Sequence, residues 1–173
     1  MLSLVSKGVT HNFTVSMNST LSESAGIIAP PPVLYLGALV MGYIMHAISP
    51  QPIFVSFSVG GWLGILLLGL SAFFARWSFV TMRKIGTTAN PRKPSAALVI
   101  IGPFRLSRNP IYLAMTGLYL GVTFFANSWW PLVLLAPLLL VMHWGVILRE
   151  ERYLAKQFGQ AYLEYKSRVR RWL

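Results

Sequence analysis

The stretch WWPLVLLAPLLLVMHWGVIL, residues 129–148, contains no Lys, Arg, Asp or Glu. As an α-helix, a segment of about twenty residues reaches about 30 Å, which matches the hydrocarbon thickness of a bilayer. Charged residues begin immediately after it, with REER at 149–152. This stretch therefore predicts a helix that crosses a membrane and ends at a polar boundary.

Three more apolar segments precede this one, and each is a candidate span, although the third is rather short: 33–49, 55–80 and 111–126. The predicted fold class is all-α, a multi-pass membrane protein with about four transmembrane helices and a C-terminal interfacial helix. Residues 1–30 read as a poorly structured leader in which Met17 is an alternative start, and 31–173 as a single domain.

The composition supports a membrane protein. Hydrophobic residues make up 55% of the chain and charged residues 11%, whereas a soluble domain carries about a quarter. The chain has no cysteine, which excludes disulfides, thiolate metal ligands and a Cys nucleophile. We therefore expect no metal site.

The net charge of +11 is concentrated in two places, the loop 81–110 and the tail 149–173. Basic residues beside apolar spans are typical of the cytoplasmic side of a cell-membrane protein, and they argue against nucleic acid as a partner. Four spans then predict a cytoplasmic N-terminus as well as a cytoplasmic C-terminus.

Two Gly-x-x-x-Gly motifs lie in the second and third segments, at Gly60–Gly64 and Gly117–Gly121. Small residues at this spacing favour close packing of two helices, which is the preferred interpretation. A second interpretation is that Gly117 or Gly121 makes room for a ligand.

A candidate site follows from the charge pattern. GPFRLSRNP at 102–110 and REERY at 149–153 are expected to be neighbours, because both lie on the same membrane face. Glu150 and Glu151 are two of only four acids in the chain, and adjacent carboxylates repel each other. Either Arg149, Arg152 and lipid-facing cations neutralise them, or one carboxylate holds a cationic ligand group.

Two longer segments resemble a known family. LVIIGPFRLSRNPIYLA (98–114) and EERYLAKQFGQAYLEYKSRV (150–169) are similar, in spacing and order, to segments of the isoprenylcysteine carboxyl methyltransferases. The related membrane phospholipid methyltransferases share the Glu-Glu pair. The resemblance implies a multi-span enzyme that uses S-adenosylmethionine (SAM), held between the last spans and the C-terminal segment. Its acceptor would be a lipophilic or small molecule that reacts among membrane lipids.

The resemblance also implies roles for individual residues. The implied cofactor-binding residues are Ala96, Ala97, Leu98, Val99, Gly102, Phe104, Asn109, Pro110, Ile111, Tyr112 and Glu150. The implied catalytic residues are Arg108, Asn109 and Glu151. Glu150 suits the ammonium of SAM, and Arg108 can bind a carboxylate with two parallel hydrogen bonds.

Two positions depart from the family pattern. Asn109 stands where the family usually has His, and an amide cannot take up a proton near neutral pH. Val146 stands where prenylcysteine-methylating members have an Arg that holds the substrate carboxylate. We therefore expect a neutral or weakly basic lipophilic acceptor, with prenylcysteine, phospholipid amines and small thiols all left open.

In the tail, aromatic residues recur every three to four positions between basic ones, and Gly159 interrupts them. This pattern is typical of a basic amphipathic helix at an anionic membrane surface, or of a helix that bends over the cofactor. The alternative to an enzyme is a non-catalytic four-span protein that binds lipid or assists a transporter.

Overall fold

The computed structural model describes residues 26–87 and 95–173, and every regular element within them is helical. In chain order these are α1 (Pro31–Ile48), α2 (Phe57–Lys84), a 3-10 helix (Gly102–Arg105), α3 (Pro110–Phe125), α4 (Trp129–Met142), a π-helical turn (His143–Ile147), α5 (Leu148–Phe158) and α6 (Gln160–Arg168). Most of the predicted leader, residues 1–25, lies outside the described residues, as does 88–94 in the basic loop.

Three helices are long and apolar enough to cross a membrane: α1, α2 and the continuous helix Trp129–Phe158 that α4, the π-helical turn and α5 form together. The third segment, α3, is apolar but has only 16 residues. The prediction of an all-α membrane protein is confirmed. The last helix continues ten residues beyond the apolar stretch that ends at 148, so it carries Glu150 and Glu151 on its final turns.

The breaks between α1 and α2 and between α3 and α4 lie together at one end of the helices. Asn127 adopts a left-handed backbone conformation with φ 50°, which Asn tolerates better than most residues. Its side-chain oxygen accepts hydrogen bonds from the backbone N–H groups of Ile53 and Phe54, at 3.0 and 2.8 Å. At the same end, the Trp130 indole donates to the Ser49 carbonyl at 2.6 Å. The described parts of the basic loop, 81–87 and 95–110, and the tail therefore lie at the opposite end.

The two glycine motifs bring α2 and α3 into close contact. A Cβ added at Gly64 would lie 2.6 Å from the Phe125 nitrogen and 2.8 Å from the Gly121 carbonyl oxygen. A Cβ added at Gly121 would lie 2.8 Å from Leu68 Cγ. The backbones approach this closely only because these residues have no side chain, so the close-packing interpretation is confirmed.

The last long helix widens at the π-helical turn His143–Ile147. Such turns occur mostly as single insertions in α-helices, often near functional sites. The Gly145 carbonyl accepts a hydrogen bond from Ile28 N–H at 3.2 Å, and a Cβ at Gly145 would lie 2.6 Å from the Ile28 side chain. The turn thus contacts the chain that precedes α1. Because a π-helical turn is wider than an α-helical one, His143 and Glu150 on either side of it are not related by regular α-helical spacing.

The buried core lies beside this turn and reaches the site described below. Its cluster consists of Tyr35, Tyr112, Tyr119, Leu138, Met142, Val146 and Ile147. Within it the hydroxyl groups of Tyr35 and Thr116 are hydrogen-bonded at 2.7 Å, and Tyr119 donates to the Pro131 carbonyl at 2.7 Å. Because its tyrosines have hydrogen-bond partners, this apolar core carries few unpaired polar groups.

Candidate active site

A pocket opens at the basic end of the helices. It contains about 820 Å³ of empty space, part of which is open solvent. Its walls are Met82, Thr87, Ser95, Ala97, Leu98, Val99, Phe104, Arg108, Asn109, Pro110, Ile111, Tyr112, Glu150, Glu151, Leu154, Tyr162 and Tyr165. The pocket therefore lies where the 95–110 segment, the start of α3, α5 and α6 meet.

Eleven of the residues that the sequence suggested lie in this wall, and Ala96 and Gly102 do not. Ala96 is exposed between two lining residues. Gly102 faces α2 instead: a Cβ there would lie 3.0 Å from Thr81 Oγ1 and 3.3 Å from Trp77 Nε1. Its φ of 60° is also one that glycine adopts readily. Gly102 thus packs against α2.

Residues 102–110 (GPFRLSRNP) are called the motif segment below, and residues 169–173 the C-terminal strap. The strap holds the motif segment in place. Arg108 N–H donates to the Arg170 carbonyl at 3.0 Å. Two side chains donate to the Arg171 carbonyl, Ser107 Oγ at 3.1 Å and Asn109 Nδ2 at 3.0 Å. Trp172 packs against the buried core. Asn109, expected at a catalytic position, therefore uses its amide to anchor the strap.

Glu150 is a pocket carboxylate with a single hydrogen-bond partner among the described residues. The Tyr112 hydroxyl, one turn into α3, donates to Glu150 Oε2 at 2.8 Å. No lysine or arginine in the described part of the chain forms an ion pair with Glu150. Its remaining lone pairs are therefore available to a cationic ligand.

Glu151, the next residue, has a different environment. Arg171 makes two hydrogen bonds to it, Nε to Oε1 at 2.9 Å and Nη2 to Oε2 at 3.0 Å. Arg108 and Lys166 lie within ion-pair distance, at 3.1 and 3.5 Å. With its side chain 6% exposed, Glu151 ties the strap, α6 and the motif segment together.

The cations that surround Glu151 are not those expected from the sequence. Arg149 donates to the Gly26 carbonyl at 2.7 Å, and Arg152 donates to the Leu148 carbonyl at 3.2 Å. Side chains one or two positions apart on a helix point in different directions, so neither arginine is well placed for its acidic neighbours. Among the described residues, neither Arg149 nor Arg152 forms an ion pair with Glu150 or Glu151, so of the two interpretations of the pair, the one that relies on these arginines receives no support from the structure.

Arg108 retains hydrogen-bonding capacity inside the pocket. Its side chain is only 9% exposed, and Nη1 lies 3.1 Å from Glu151 Oε1. The direction of that contact does not make a hydrogen bond, and neither Nη1 nor Nε has an acceptor among the described residues. Buried donors of this kind usually have a partner, so Arg108 is suited to bind an anionic group.

Tyr162 and Tyr165 line the pocket, although the sequence placed them only among the recurring aromatic residues of the tail. Tyr162 is only 1% exposed, and Tyr165 donates its hydroxyl to the Phe104 carbonyl at 2.7 Å. Burial, and then the nearby Glu151 carboxylate, raise the pKa of Tyr162 to about 12, with Arg108 opposing the shift. Tyr162 therefore stays protonated and can donate a hydrogen bond. The aromatic stripe does not act simply as a membrane anchor, because these two rings face the pocket.

Gly159 makes this arrangement possible. The chain bends there with φ 53° and ψ −128°, a conformation available essentially only to glycine, and it separates α5 from α6. The bend expected at Gly159 is present, and it turns α6 back across the pocket.

Four further lining residues were not among the candidate site residues: Leu154, Met82, Thr87 and Ser95. Leu154 could have been found from its position one helical turn after Glu150, whereas no pattern in the sequence indicates the other three.

The positions of Val146 and Arg149 determine whether this part of the last long helix could provide a cation for an acceptor carboxylate. Val146 is fully buried in the core. Arg149 is held by the Gly26 carbonyl. Neither residue lines the pocket, so neither provides a cation for a carboxylate substrate there.

Comparison with known proteins identifies the family. Residues 59–161 match the sequence profile of the phospholipid methyltransferases. Searches of curated proteins and of solved structures each found no match. The matched region begins in α2 and includes the motif segment, both glutamates and the start of α6, so it covers more than half of the chain. The family match supports a membrane methyltransferase, and the chain belongs to the phospholipid methyltransferase family, as its resemblance to these methyltransferases predicted.

Proposed function

We propose that this membrane protein transfers a methyl group from SAM to a lipophilic acceptor in the pocket between α5, α6 and the motif segment. The single observation that carries the proposal is that one pocket wall contains two side chains of opposite charge, Glu150 and Arg108. Within the described part of the chain, Glu150 has lone pairs without a partner, which suit an ammonium, and Arg108 has buried donors without an acceptor, which suit a carboxylate. An amino-acid group carries both of these charges, so the residues present fit SAM.

The remaining walls suit the rest of such a molecule. Phe104 and Tyr112 are aromatic residues of the wall, and aromatic faces attract cations. Leu98 and Val99 supply apolar surface for a nucleobase. When bound, SAM supplies a methyl group already activated by a positively charged sulfur.

The contribution of the chain is then to orient the reactants and exclude water. Tyr112 fixes the direction of the Glu150 carboxylate through its hydroxyl. Tyr162 and Tyr165 cover the pocket from the side of α6, and the Glu151–Arg171 pair keeps the strap closed against the motif segment. A proton leaving the acceptor has no histidine in the wall to receive it, since the described lining contains none.

The same wall favours an acceptor without a carboxylate. A carboxylate left unpaired near a membrane is costly, and Arg108 is the one arginine or lysine in the described wall. If Arg108 binds the carboxylate of SAM, no second cation remains for a prenylcysteine. We infer that the acceptor nucleophile is neutral or weakly basic, such as the amine of a phospholipid or a thiol.

An acceptor comparison tests the proposal. Purified protein in mixed detergent–lipid micelles receives methyl-labelled SAM with a dioleoyl phospholipid amine, a long-chain thiol or N-acetyl-farnesylcysteine. We expect transfer to the amine or the thiol to exceed transfer to farnesylcysteine about tenfold, the order of one lost charged hydrogen bond. The fastest rate with farnesylcysteine would exclude the acceptor inference.

SAM binding measured by calorimetry separates the enzyme from a catalytically silent protein. Glu150→Gln removes the charge proposed to bind the ammonium and is expected to weaken SAM binding. Glu164→Gln, on the exposed face of α6, is the matched control, since Glu164 does not line the pocket. Absence of SAM binding by folded wild-type protein would exclude the methyltransferase and favour a lipid-binding or transporter-assisting role.

A further inference from the structure

A second depression lies on the outer face of α2. It is lined by Phe73, Arg76, Trp77 and Val80, all on this helix, and contains about 620 Å³ of empty space, part of which is open solvent. It shares no lining residue with the candidate active site. We call it the α2 groove.

Arg76 is unusual for its position. It is the first charged residue of α2, and the next is Arg83, seven residues or about 10 Å further along the helix. Its side chain is exposed, and no acid in the described part of the chain forms an ion pair with it. A guanidinium among apolar residues of a membrane helix either reaches toward the interface or binds an anion.

The neighbours of Arg76 are those of a lipid-facing surface. Phe73 is 66% exposed and Trp77 39% exposed, although both are large and apolar. Their rings lie 6.4 Å apart between centroids and form one wall of the groove. The groove thus combines one cation with an apolar channel, which complements a molecule with a single anionic group and a hydrocarbon chain.

We propose that the α2 groove binds a membrane phospholipid, with its phosphate on Arg76 and an acyl chain against Phe73 and Val80. The planar guanidinium can donate two parallel hydrogen bonds to phosphate oxygens. A free phosphate would leave the apolar wall unused, so the lipid is the occupant that the groove fits.

The bound lipid lies close to the candidate active site. Trp77 Nε1 lies 3.3 Å from the position of a Cβ at Gly102, which begins the 3-10 helix carrying Phe104. Trp77 also accepts, at its carbonyl, a hydrogen bond from Thr81 one turn later, at 2.9 Å. A lipid in the groove therefore supports the surface on which the motif segment rests. The proposal concerns binding and does not depend on methyl transfer.

The test uses the full chain in detergent, titrated with dioleoyl phosphatidylglycerol and followed by native mass spectrometry. We expect Arg76→Gln to weaken binding about tenfold or more, because a charged hydrogen bond to the phosphate is lost. Arg83→Gln is the matched control: it removes a cation from the same helix outside the groove, and we expect a change of less than about twofold. Val80→Trp keeps Arg76 but fills the channel, and we expect it to weaken binding as well.

Two further probes separate the sources of the affinity. Dioleoylglycerol lacks the phosphate and glycerol phosphate lacks the chains, and neither is expected to compete with the phospholipid at equal concentration. Unchanged binding by Arg76→Gln, or equal losses in Arg76→Gln and Arg83→Gln, would overturn the proposal. Full competition by either partial molecule, or unchanged binding by Val80→Trp, would overturn it too.

Discussion

Glu150 and Glu151 are adjacent in the sequence, yet they belong to two different regions of the molecule. Glu150 faces the pocket and has one hydrogen-bond partner among the residues that the structure describes, the Tyr112 hydroxyl at 2.8 Å. Glu151 faces α6 and the strap, where Arg108, Lys166 and Arg171 surround it. The Glu150 carboxylate can therefore bind a ligand, and the Glu151 carboxylate stabilises the fold.

This difference shows how a pair of like charges can be divided between binding and stability. Neighbouring positions on a helix point about 100° apart, so each carboxylate meets a different set of elements. The surplus of cations around Glu151 also lowers the repulsion that Glu150 experiences from its neighbour. Breaking one interaction at a time tests whether the two roles are separate.

The largest expected effect concerns Glu151. Glu151→Gln leaves the buried Arg108 guanidinium without its counter-charge, and loss of one partner of a buried ion pair costs about 3–5 kcal/mol. We expect the lower end of this range, since Lys166 and Arg171 are partly exposed and can be hydrated again. Unfolding of the detergent-solubilised protein, with Glu164→Gln as the exposed control, measures the loss. Equal stability of these two variants would show that the strap is held by other contacts.

The next effect concerns Glu150 and should appear in binding. Glu150→Gln keeps the shape of the side chain and removes its charge. A lost charged hydrogen bond of about 1.5–3 kcal/mol predicts a roughly tenfold to hundredfold loss of SAM affinity. Calorimetry checks this, again against Glu164→Gln. An unchanged affinity would mean that Glu150 does not bind the ammonium.

We also expect the Glu150→Gln protein to have the same unfolding free energy as the wild type. Glu150 has no ion pair to lose among the described residues, so its contribution to the folded state is expected to be small. A loss of stability as large as that of Glu151→Gln would show that both carboxylates serve the same structural role.

The position of the site could be predicted from the sequence, but the division between the two glutamates could not, since the family resemblance implied a catalytic role for Glu151. The motif segment and the glutamates were expected to be neighbours, and a bend at Gly159 was expected over the cofactor. The partners of Glu151 were not found, because Lys166 and Arg171 are distant in sequence and reach it only after α6 turns back. The spacing of Tyr162 and Tyr165 defines one helix face, but spacing alone does not tell whether that face meets lipid or protein.

Asn109, like Glu151, stabilises the contact between the motif segment and the strap. Asn109→Ala removes its hydrogen bond to the Arg171 carbonyl, while Ser107 Oγ still donates to the same oxygen. We expect a loss of about 1 kcal/mol in unfolding free energy. Ser167→Ala is the control, because the Ser167 hydroxyl also donates to a tail carbonyl but is exposed. A large fall in methyl transfer by the folded variant, with SAM affinity intact, would assign Asn109 a catalytic role instead.

The effect on SAM affinity is expected to be smaller at Tyr112 than at Glu150. Tyr112→Phe keeps the ring in the core and removes the hydroxyl that orients Glu150 Oε2. Since the carboxylate keeps its charge, only one hydrogen bond of about 0.5–1.5 kcal/mol is lost, which predicts a roughly twofold to tenfold weaker SAM affinity. Tyr43→Phe is the matched control, because Tyr43 donates to the Val122 carbonyl at 3.1 Å and does not line the pocket. A loss equal to that of Glu150→Gln would identify the tyrosine hydroxyl, rather than the carboxylate alone, as the group on which binding depends.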